Sequence, residues 1–390
     1  MRSILYVSHA LFNRAGVEQH IRDLRSALST SPNSTIGHNL HSSDFQIWIL
    51  FRDHTKAVLL APDDQLTVAE VEPPSWPLAP LHSPQAEAFV IKALQLSKPD
   101  LIHIHHFHNW HLSLLEQLLS HKRPTLLTFH DYFAITPHWT MQGAPSPHAC
   151  FSSAYSQTIF KRDLSTQLNQ RRQYLNQQFS AMQLCIAPSA FCAETIQQIY
   201  PLTIRVIEHG IAPLTNAQAL LPKVMAPDTV RFTFVGSLIP QKGWELLLSS
   251  FRNLRSRTKQ AHLTFLGGTP MPDEEQINFV AAYEPENLPA LLRSTDIGII
   301  PSLFCESYCL TLSELFRSGI PAIASDCGAL STRVIDGING KKFTAGDPAA
   351  LSATLNWFVE HDRWRKWQIA PPRFINAMAE EYRTLYSSFL

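Results

Sequence analysis

The chain has 390 residues, 45% of them hydrophobic and 10% aromatic, which is enough for two folded domains of ordinary size. Its 32 basic and 32 acidic side chains cancel, so no overall field attracts nucleic acid, which is not an expected partner. No stretch approaches the roughly 18 consecutive apolar residues of a membrane-spanning helix. The N-terminal apolar run is too short for a secretory signal, and six cysteines without a CxxC pair indicate reduced thiols in a cytoplasmic protein.

Short apolar runs alternate with helical patterns through the first half of the chain. The predicted strands cover residues 3–8, 45–51, 57–61, 101–105, 125–129, 184–188 and 204–208. The predicted helices cover residues 17–28, 85–96, 112–119, 155–182 and 190–199. A polar loop at 29–43 and a proline-rich connection at 73–84 interrupt the alternation. Repeated β–α alternation predicts a parallel, doubly wound sheet.

The second half restarts the same alternation after a predicted linker at 209–228. Its predicted strands cover residues 231–235, 262–266, 279–283, 297–300 and 321–324. Its predicted helices cover residues 244–254, 286–293, 309–318, 348–361 and 373–389. We therefore expect an α/β protein of two Rossmann-like domains, with ligands beyond the carboxyl ends of the strands and between the domains.

The segment 301–326 carries the clearest chemical pattern. A buried strand ends at Pro301, and the following helix begins after Glu306 and contains Glu314. At 1.5 Å of rise per residue, Glu314 lies roughly 9 Å along the helix from Tyr308. A helix N-terminus favours an anion, and carboxylates accept hydrogen bonds from sugar hydroxyls. The pattern predicts a nucleotide-sugar site.

A lysine in the loop 236–243 (GSLIPQKG) is a second candidate. Lys242 is a point charge near a helix N-terminus and would suit a diphosphate. The loop has neither the Walker A pattern nor a GxGxxG fingerprint, which disfavours a dinucleotide dehydrogenase. Taken alone, Lys242 is equally compatible with an ordinary surface lysine.

Three further residues stand where the first sheet would open. His130 and Asp131 follow a buried strand, a position suited to chemistry in a cleft, although a purely structural histidine is the alternative. Gly16, at the start of a helix, would let a ligand approach the backbone closely, or would simply give the helix a flexible start.

Histidines are concentrated at positions 103, 105, 106, 108 and 111. Their spacing alone would suggest zinc, but no cysteine pair or HExxH motif accompanies them. We expect these histidines to line the crevice and no metal to be bound. The predicted helix 155–182 carries four basic side chains, which would form either a surface facing an acceptor or membrane, or an ordinary solvated face.

Several strings, in the same order along nearly the whole chain, resemble the retaining GT-B glycosyltransferases of family GT4. They are TLLTFHDYF, IAPSAF, RVIEHGI, FVGSLIPQKG and STDIGIIPSLFCESYCLTLSELFRSGIPAIASDCGALSTRVIDGINGKKF. The two glutamates separated by seven residues, with an upstream lysine, form the most specific part. The resemblance implies two domains facing each other across a cleft, with a C-terminal helix that crosses back to the first domain.

The resemblance implies domains 1–210 (with helix 373–390) for the acceptor and 211–372 for the donor. It implies that Lys242 holds the donor diphosphate, that Glu314 accepts from the ribose, and that Glu306 and His130 flank the transferred sugar as catalytic residues. The remaining implied contacts are Gly236, Ser237, Leu310 and Thr311 for the donor, and Gly16 and Asp131 for the acceptor or cleft. Ser237 and Cys309 depart from the family, which usually has arginine and glycine there.

The function implied by the resemblance is transfer of a sugar from a nucleotide-diphosphate donor to a hydroxyl of a glycan or lipid-linked acceptor, in polysaccharide or cell-surface glycan synthesis. Such enzymes generally use no metal, because helix dipoles and basic side chains neutralise the leaving diphosphate. A peripheral contact at the inner membrane face is compatible with it. The alternatives are a nucleotide-sugar 2-epimerase of the same architecture and a degenerate scaffold protein.

Overall fold

The computed structural model describes residues 1–13, 15–29, 45–215, 218, 227–254, 259–268 and 271–390. Nearly all of the predicted polar loop and half of the predicted linker lie outside these residues. The chain divides into two compact units. The first unit is Met1–Gly210 with Phe374–Leu390, and the second unit is Ile211–Arg373.

The first unit contains a largely parallel sheet. Its strands are β1 (Arg2–Val7), β2 (Phe45–Asp53), β3 (Lys56–Leu60), β4 (Leu66–Glu70), β5 (Leu101–Ile104), β6 (Thr125–Thr128), β7 (Leu184–Ala187) and β8 (Ile204–Val206). In the described part of the chain they follow the order β4-β3-β2-β1-β5-β6-β7-β8. The β2–β3 and β3–β4 pairs are antiparallel, so β3 runs opposite to the other described strands of this sheet. Strands β1 and β5 are adjacent and parallel, so the loops that follow them leave from the same edge.

Helices cover both faces of this sheet. They are α1 (Gly16–Ser29), α2 (Pro84–Ser97), α3 (Leu114–Ser120), α4 (Ser153–Phe160), α5 (Ser165–Ser180), α6 (Ala190–Gln197) and the C-terminal helix, here called α12 (Ile375–Ser387). Met378, Tyr382 and Tyr386 of α12 are fully buried in one core with Ile21 of α1 and Ile4 of β1. The C-terminal helix therefore belongs to the first unit, as predicted.

Two predictions for the first unit were wrong. The predicted helix 155–182 is interrupted: Lys161 adopts a left-handed conformation (φ 59°) at the end of α4, and the Asp163 carboxylate accepts from the Ser165 amide at the start of α5. Arg171 is also no part of a basic surface, because it is buried and donates to the carbonyls of Phe133 and Ala134. Strand β4 was missed.

The second unit has a fully parallel sheet. Its strands are β9 (Thr229–Val235), β10 (Gln260–Gly268), β11 (Ile277–Ala281), β12 (Ile297–Ile300), β13 (Ala322–Ser325) and β14 (Gly340–Phe343). Among the described residues their order is β11-β10-β9-β12-β13-β14, which is the Rossmann order 3-2-1-4-5-6. The chain winds in opposite directions from β9 and β12, so a crevice opens beyond their carboxyl ends.

The helices of the second unit are shorter. They are α7 (Trp244–Arg252), α8 (Leu288–Leu291), α9 (Leu310–Arg317), α10 (Leu330–Arg333) and α11 (Pro348–Glu360). The predicted helix 286–293 is a single α-turn, α8, between two short 3₁₀ segments. Strand β14 and helix α10 were not predicted. Within the described residues, no helix has both the length and the apolar character needed to cross a membrane.

Candidate functional site

Two loops meet beyond the carboxyl ends of β9 and β12 in the second unit. The Leu303 amide donates to the Gln241 carbonyl at 2.8 Å. Gly243, which has φ +70°, allows this contact, because a Cβ there would lie 1.9 Å from the Pro301 carbonyl oxygen. No side chain fits at that distance, so the approach of the two loops depends on a glycine.

The contact between the loops brings together two residues 64 positions apart. Lys242 Nζ donates to Glu306 Oε1 at 2.7 Å, and the Ser302 hydroxyl donates to the same oxygen at 2.7 Å. The Glu306 side chain is 8% exposed and that of Lys242 is 33% exposed. Burial favours the neutral amine, but the Glu306 carboxylate outweighs it and raises the pKa of Lys242. The Lys242 amine is therefore held in its charged form, although its surroundings are largely shielded from water.

The backbone of Glu306 is fixed by a residue that sequence reasoning missed. Gly328 has φ +63°, and a Cβ there would lie 2.5 Å from both the Glu306 nitrogen and the Glu306 oxygen. The adjoining Ala329 amide donates to the Glu306 carbonyl at 2.8 Å. Because Gly328 has no side chain, the loop after β13 can pack directly against the backbone of Glu306. The only signal in the sequence was a glycine after a strand, and glycines of that kind occur at many ordinary turns.

Helix α9 begins beside this pair. The first backbone amides of an α-helix have no carbonyl acceptor within the helix. In α9 these include the amides of Leu310 and Thr311, which lie at the positive end of the helix dipole. Arg333 of α10 braces the turn before the helix, donating to the carbonyls of Tyr308 and Cys309. Arg333 was also missed by sequence reasoning, because it acts on the backbone from 24 residues away.

Cys309 holds a conformation unusual for a side-chain-bearing residue. It precedes α9 with φ +71°, in the region that suits glycine. The side chain is buried, 9% exposed. The departure from the family glycine thus places backbone strain directly beside the amides of Leu310 and Thr311.

Comparing Cys309→Gly with Cys309→Ala isolates this strain, because both substitutions remove the thiol. We expect the glycine variant to be more stable by about 1 kcal/mol, since alanine retains the left-handed penalty. The matched control is Cys185 in β7, also buried, where alanine should be the more stable by about 0.5–1 kcal/mol. Urea unfolding of all four variants measures both differences. The same preference at both positions would contradict the interpretation.

Glu314 lies one turn into α9 and is partly buried. Burial raises the pKa of its carboxyl to about 7, and nearby Arg317 offsets this only in part.

At the end of β9, Gly236 has φ +142° with no atom closer than 3.9 Å to a notional Cβ, and Ser237 is exposed. The second unit therefore carries its predicted site residues on the segments that follow β9 and β12, at one edge of the sheet.

The first unit contains the other predicted residues. Gly16 is exposed and begins α1. Asp131 follows β6; burial would raise the pKa of its carboxyl, but His106, with Nε2 3.2 Å from Oδ2, and the Phe133 amide outweigh burial and lower it. The Asp131 side chain is 28% exposed, so it is an ionised group that a ligand could reach.

His130 is more enclosed than predicted. It is 6% exposed, with Nε2 3.2 Å from His105 Nδ1 and Nδ1 3.3 Å from His209 Nε2. Its pKa is held well below the ordinary value, first by burial and then by its histidine neighbours. Among the described residues, His20, His105 and His130 form a group that could hold a metal ion. Of the five histidines grouped by sequence spacing, this group contains His105 alone.

The arrangement in the second unit can hold a polyanion and a polyol together. An ammonium and free helix amides meet the anion, and the carboxylates Glu306 and Glu314 accept from hydroxyl groups. Among the described residues, the candidate metal-ligand group His20, His105 and His130 lies in the first unit.

Two family models match successive parts of the chain. The model described as Glycosyltransferase Family 4 matches residues 34–213, and the model described as Glycosyl transferases group 1 matches residues 229–361. The D-inositol 3-phosphate glycosyltransferase of Corynebacterium efficiens is 31% identical over 34% of this chain and 35% of its own. The lipopolysaccharide 1,2-N-acetylglucosaminetransferase of Salmonella typhimurium is 23% identical over 47% of this chain and 48% of its own. The chain thus matches about a third to a half of the length of these curated relatives.

Solved structures resemble the whole chain. Sucrose-phosphate synthase from Thermosynechococcus elongatus superposes with a TM-score of 0.66 at 16% identity, covering 100% of this chain and 99% of that one. HepE of Anabaena, in complex with UDP and glucose, gives a TM-score of 0.62 at 15% identity and covers 100% of both chains. At this identity the likeness establishes the fold. That fold is of the GT-B class.

Within that class, the two family models identify the family. The chain belongs to the family 4, or group 1, glycosyltransferases.

Proposed function

We propose that the chain is a retaining glycosyltransferase that moves a sugar from a nucleotide-diphosphate donor to a hydroxyl of a glycan or lipid-linked acceptor, in polysaccharide or cell-surface glycan synthesis. The observation that carries the proposal is the Lys242–Glu306 pair, 2.7 Å apart beside the N-terminus of α9. The names of the relatives, which act on inositol phosphate and lipopolysaccharide, support an acceptor of this kind.

The second unit would bind the donor. The diphosphate would lie at the Leu310 and Thr311 amides, with Lys242 as its cation and Gly236 and Ser237 along its path. Glu314 would accept from the ribose hydroxyls. Because the ammonium and the helix dipole supply positive charge at this point, we propose that the donor site uses no metal.

Glu306 would contact the transferred sugar. A diphosphate competes for Lys242, and as Lys242 turns towards it the Glu306 carboxylate becomes available to a sugar hydroxyl. In the proposed front-face reaction the bond from the anomeric carbon to the phosphate oxygen breaks. The acceptor oxygen bonds to that carbon from the same face, and its proton passes to the leaving phosphate.

The first unit would bind the acceptor, with Gly16 and Asp131 nearest to it. The ionised, partly exposed Asp131 carboxylate can accept from an acceptor hydroxyl. His130 is proposed to lie behind Asp131 on the sugar side. As both of its ring nitrogens face other histidines, His130 acts as a positioning residue.

Titration calorimetry and product analysis with UDP-, GDP- and ADP-sugars would test the proposed function. We expect one nucleotide class to bind and its sugar to be released slowly to water, or faster to an acceptor, with the anomeric configuration retained. Epimerised donor formed without acceptor would instead identify a 2-epimerase. Failure of every nucleotide sugar to bind the folded chain would reject the donor site and favour a scaffold.

The raised pKa of Glu314 makes donor affinity depend on pH. If only the carboxylate accepts the ribose hydroxyls, affinity should increase about tenfold between pH 6 and pH 8, as the group ionises around its pKa of about 7. Calorimetry with an intact nucleotide sugar measures this, since its phosphates do not titrate in that range. The free energy of unfolding depends on pH in the opposite direction. The contribution of the buried Glu314 acid is present below its ordinary pKa and is lost as pH rises through about 7.

Glu314→Gln is the control for this pH dependence. The amide does not titrate, so its affinity should be flat between pH 6 and pH 8. An equal slope in wild type and Glu314→Gln would assign the dependence to another group.

A further inference from the structure

Four histidines from separate elements of the first unit meet inside it. His105 follows β5, His130 follows β6, His209 follows β8, and His20 lies on the buried face of α1. The ring of His20 is 4.9 Å from that of His130 and 4.4 Å from that of His209, between centroids. All four are buried. Four buried imidazole rings from four parts of the chain therefore form one cluster.

The ligand atoms of three of them lie close enough together to form a candidate metal site. One ligand nitrogen from each of His20, His105 and His130 lies within 4.8 Å of the other two. His105 Nδ1 and His130 Nε2 are 3.2 Å apart. With zinc–nitrogen bonds of about 2.0–2.1 Å in a tetrahedron, neighbouring ligand nitrogens stand about 3.3 Å apart. The His105 and His130 nitrogens are therefore at ligand spacing, and a small shift of the His20 ring would bring a third nitrogen to it.

Of these three histidines, His20 most requires a ligand. It is 2% exposed, and neither ring nitrogen has a hydrogen-bond partner within the described structure. Leaving such a buried polar group unpaired destabilises the folded state. Its neighbour His103 shows the contrast: its nitrogens lie 2.6 Å from the Tyr386 hydroxyl and 2.8 Å from the Thr128 hydroxyl, so His103 needs no ion. A hydrogen bond between His105 and His130 would do nothing for His20, whereas a metal ion would bind all three.

The cluster is in the protonation state that a metal needs. Burial lowers the pKa of His20 to about 3 and holds that of His105 well below its ordinary value. Neutral imidazole is the form that binds metal. Imidazole ligands suit zinc and its first-row neighbours rather than magnesium or calcium.

We propose that His20, His105 and His130 bind one divalent transition-metal ion, with zinc as the first candidate. His130 would bind through Nε2 and donate its Nδ1–H to His209 Nε2, 3.3 Å away. His209 would thus take the outer position that a carboxylate, a carbonyl or water usually fills beside a metal-bound histidine. The ion would join the ends of β5 and β6 to α1 and hold the backbone that presents Asp131. The site lies within the first unit, and it is independent of the proposed donor diphosphate site in the second.

Metal binding by the full chain, stripped with a chelator, tests the proposal. We expect one equivalent of Zn²⁺ or Co²⁺ per chain and a higher melting temperature with the ion. His20→Gln and His105→Gln should each weaken Zn²⁺ binding by at least about 100-fold, since even outer partners contribute 10- to 100-fold. The matched control is His111→Gln, another buried histidine of the first unit, which should bind as wild type does.

The visible spectrum of the Co²⁺-loaded wild-type chain tests the proposed ligands without relying on any variant. Visible d–d absorption without a thiolate charge-transfer band, displaced by one equivalent of Zn²⁺, would support histidine ligands. Failure of the folded wild-type chain to bind either ion stoichiometrically would overturn the proposal. So would binding that His20→Gln and His105→Gln, both folded, leave unchanged.

Discussion

Lys242→Ala is expected to weaken binding of a nucleoside diphosphate by about 10- to 100-fold. The substitution removes a charged donor, whose hydrogen bonds contribute about 1.5–3 kcal/mol. It also leaves Glu306, 8% exposed, without its cation and beside the incoming anion. Titration calorimetry with the nucleotide that binds wild type measures the loss.

The 2.7 Å contact between Lys242 and Glu306 makes their effects non-additive. Adding Glu306→Gln to Lys242→Ala should restore part of the lost affinity, because it removes an unpaired carboxylate. Lys366→Ala, at an exposed lysine of the same unit, is the control and should bind as wild type does. An affinity loss below about threefold in Lys242→Ala would remove Lys242 from the donor site.

Glu306→Gln is expected to lower the rate of sugar transfer by about 100- to 1,000-fold, the range found when one preorganised electrostatic contact to a transition state is removed. The amide can still accept from Ser302 and Lys242, so the loop should keep its shape. Nucleotide affinity should change by less than about threefold. A steady-state assay, read beside calorimetry on the same preparation, separates the two effects.

The control for Glu306→Gln is Glu275→Gln, at an exposed glutamate of the second unit, which should retain wild-type activity. Both variants should melt close to wild type. Full activity in Glu306→Gln would restrict Glu306 to a structural pairing with Lys242. Loss of activity accompanied by a clearly lower melting temperature would also indicate a structural role.

Much of the fold could be predicted because parallel strands buried on both faces are continuous apolar runs. Strand β12 has this character, since its sequence is IGII and every residue of it is buried. Strand β4 escaped because it stands at the sheet edge and its burial alternates along LTVAE. The break between α4 and α5 depends on a left-handed backbone at Lys161, and hydrophobic periodicity carries no information about that.

The residues of the candidate site were easier to predict than the contacts between them. Lys242 and Glu306 each follow a strand end, but their ion pair depends on the absent side chains of Gly243 and Gly328. The histidines were grouped by sequence spacing, whereas the fold selects His105 and adds His20. A histidine beside Ile21 and Leu24 in the amphipathic pattern of α1 was the available signal.

The second unit is inserted into the first, and this has a consequence for synthesis. The chain leaves the first unit at Gly210 and re-enters it at Phe374, and the Ile211 amide donates to the Arg373 carbonyl at 3.1 Å. A ribosome therefore completes the second unit before the first, whose core lacks Tyr382 and Tyr386 until helix α12 is made. A premature stop near the C-terminus would damage the N-terminal unit and spare the other.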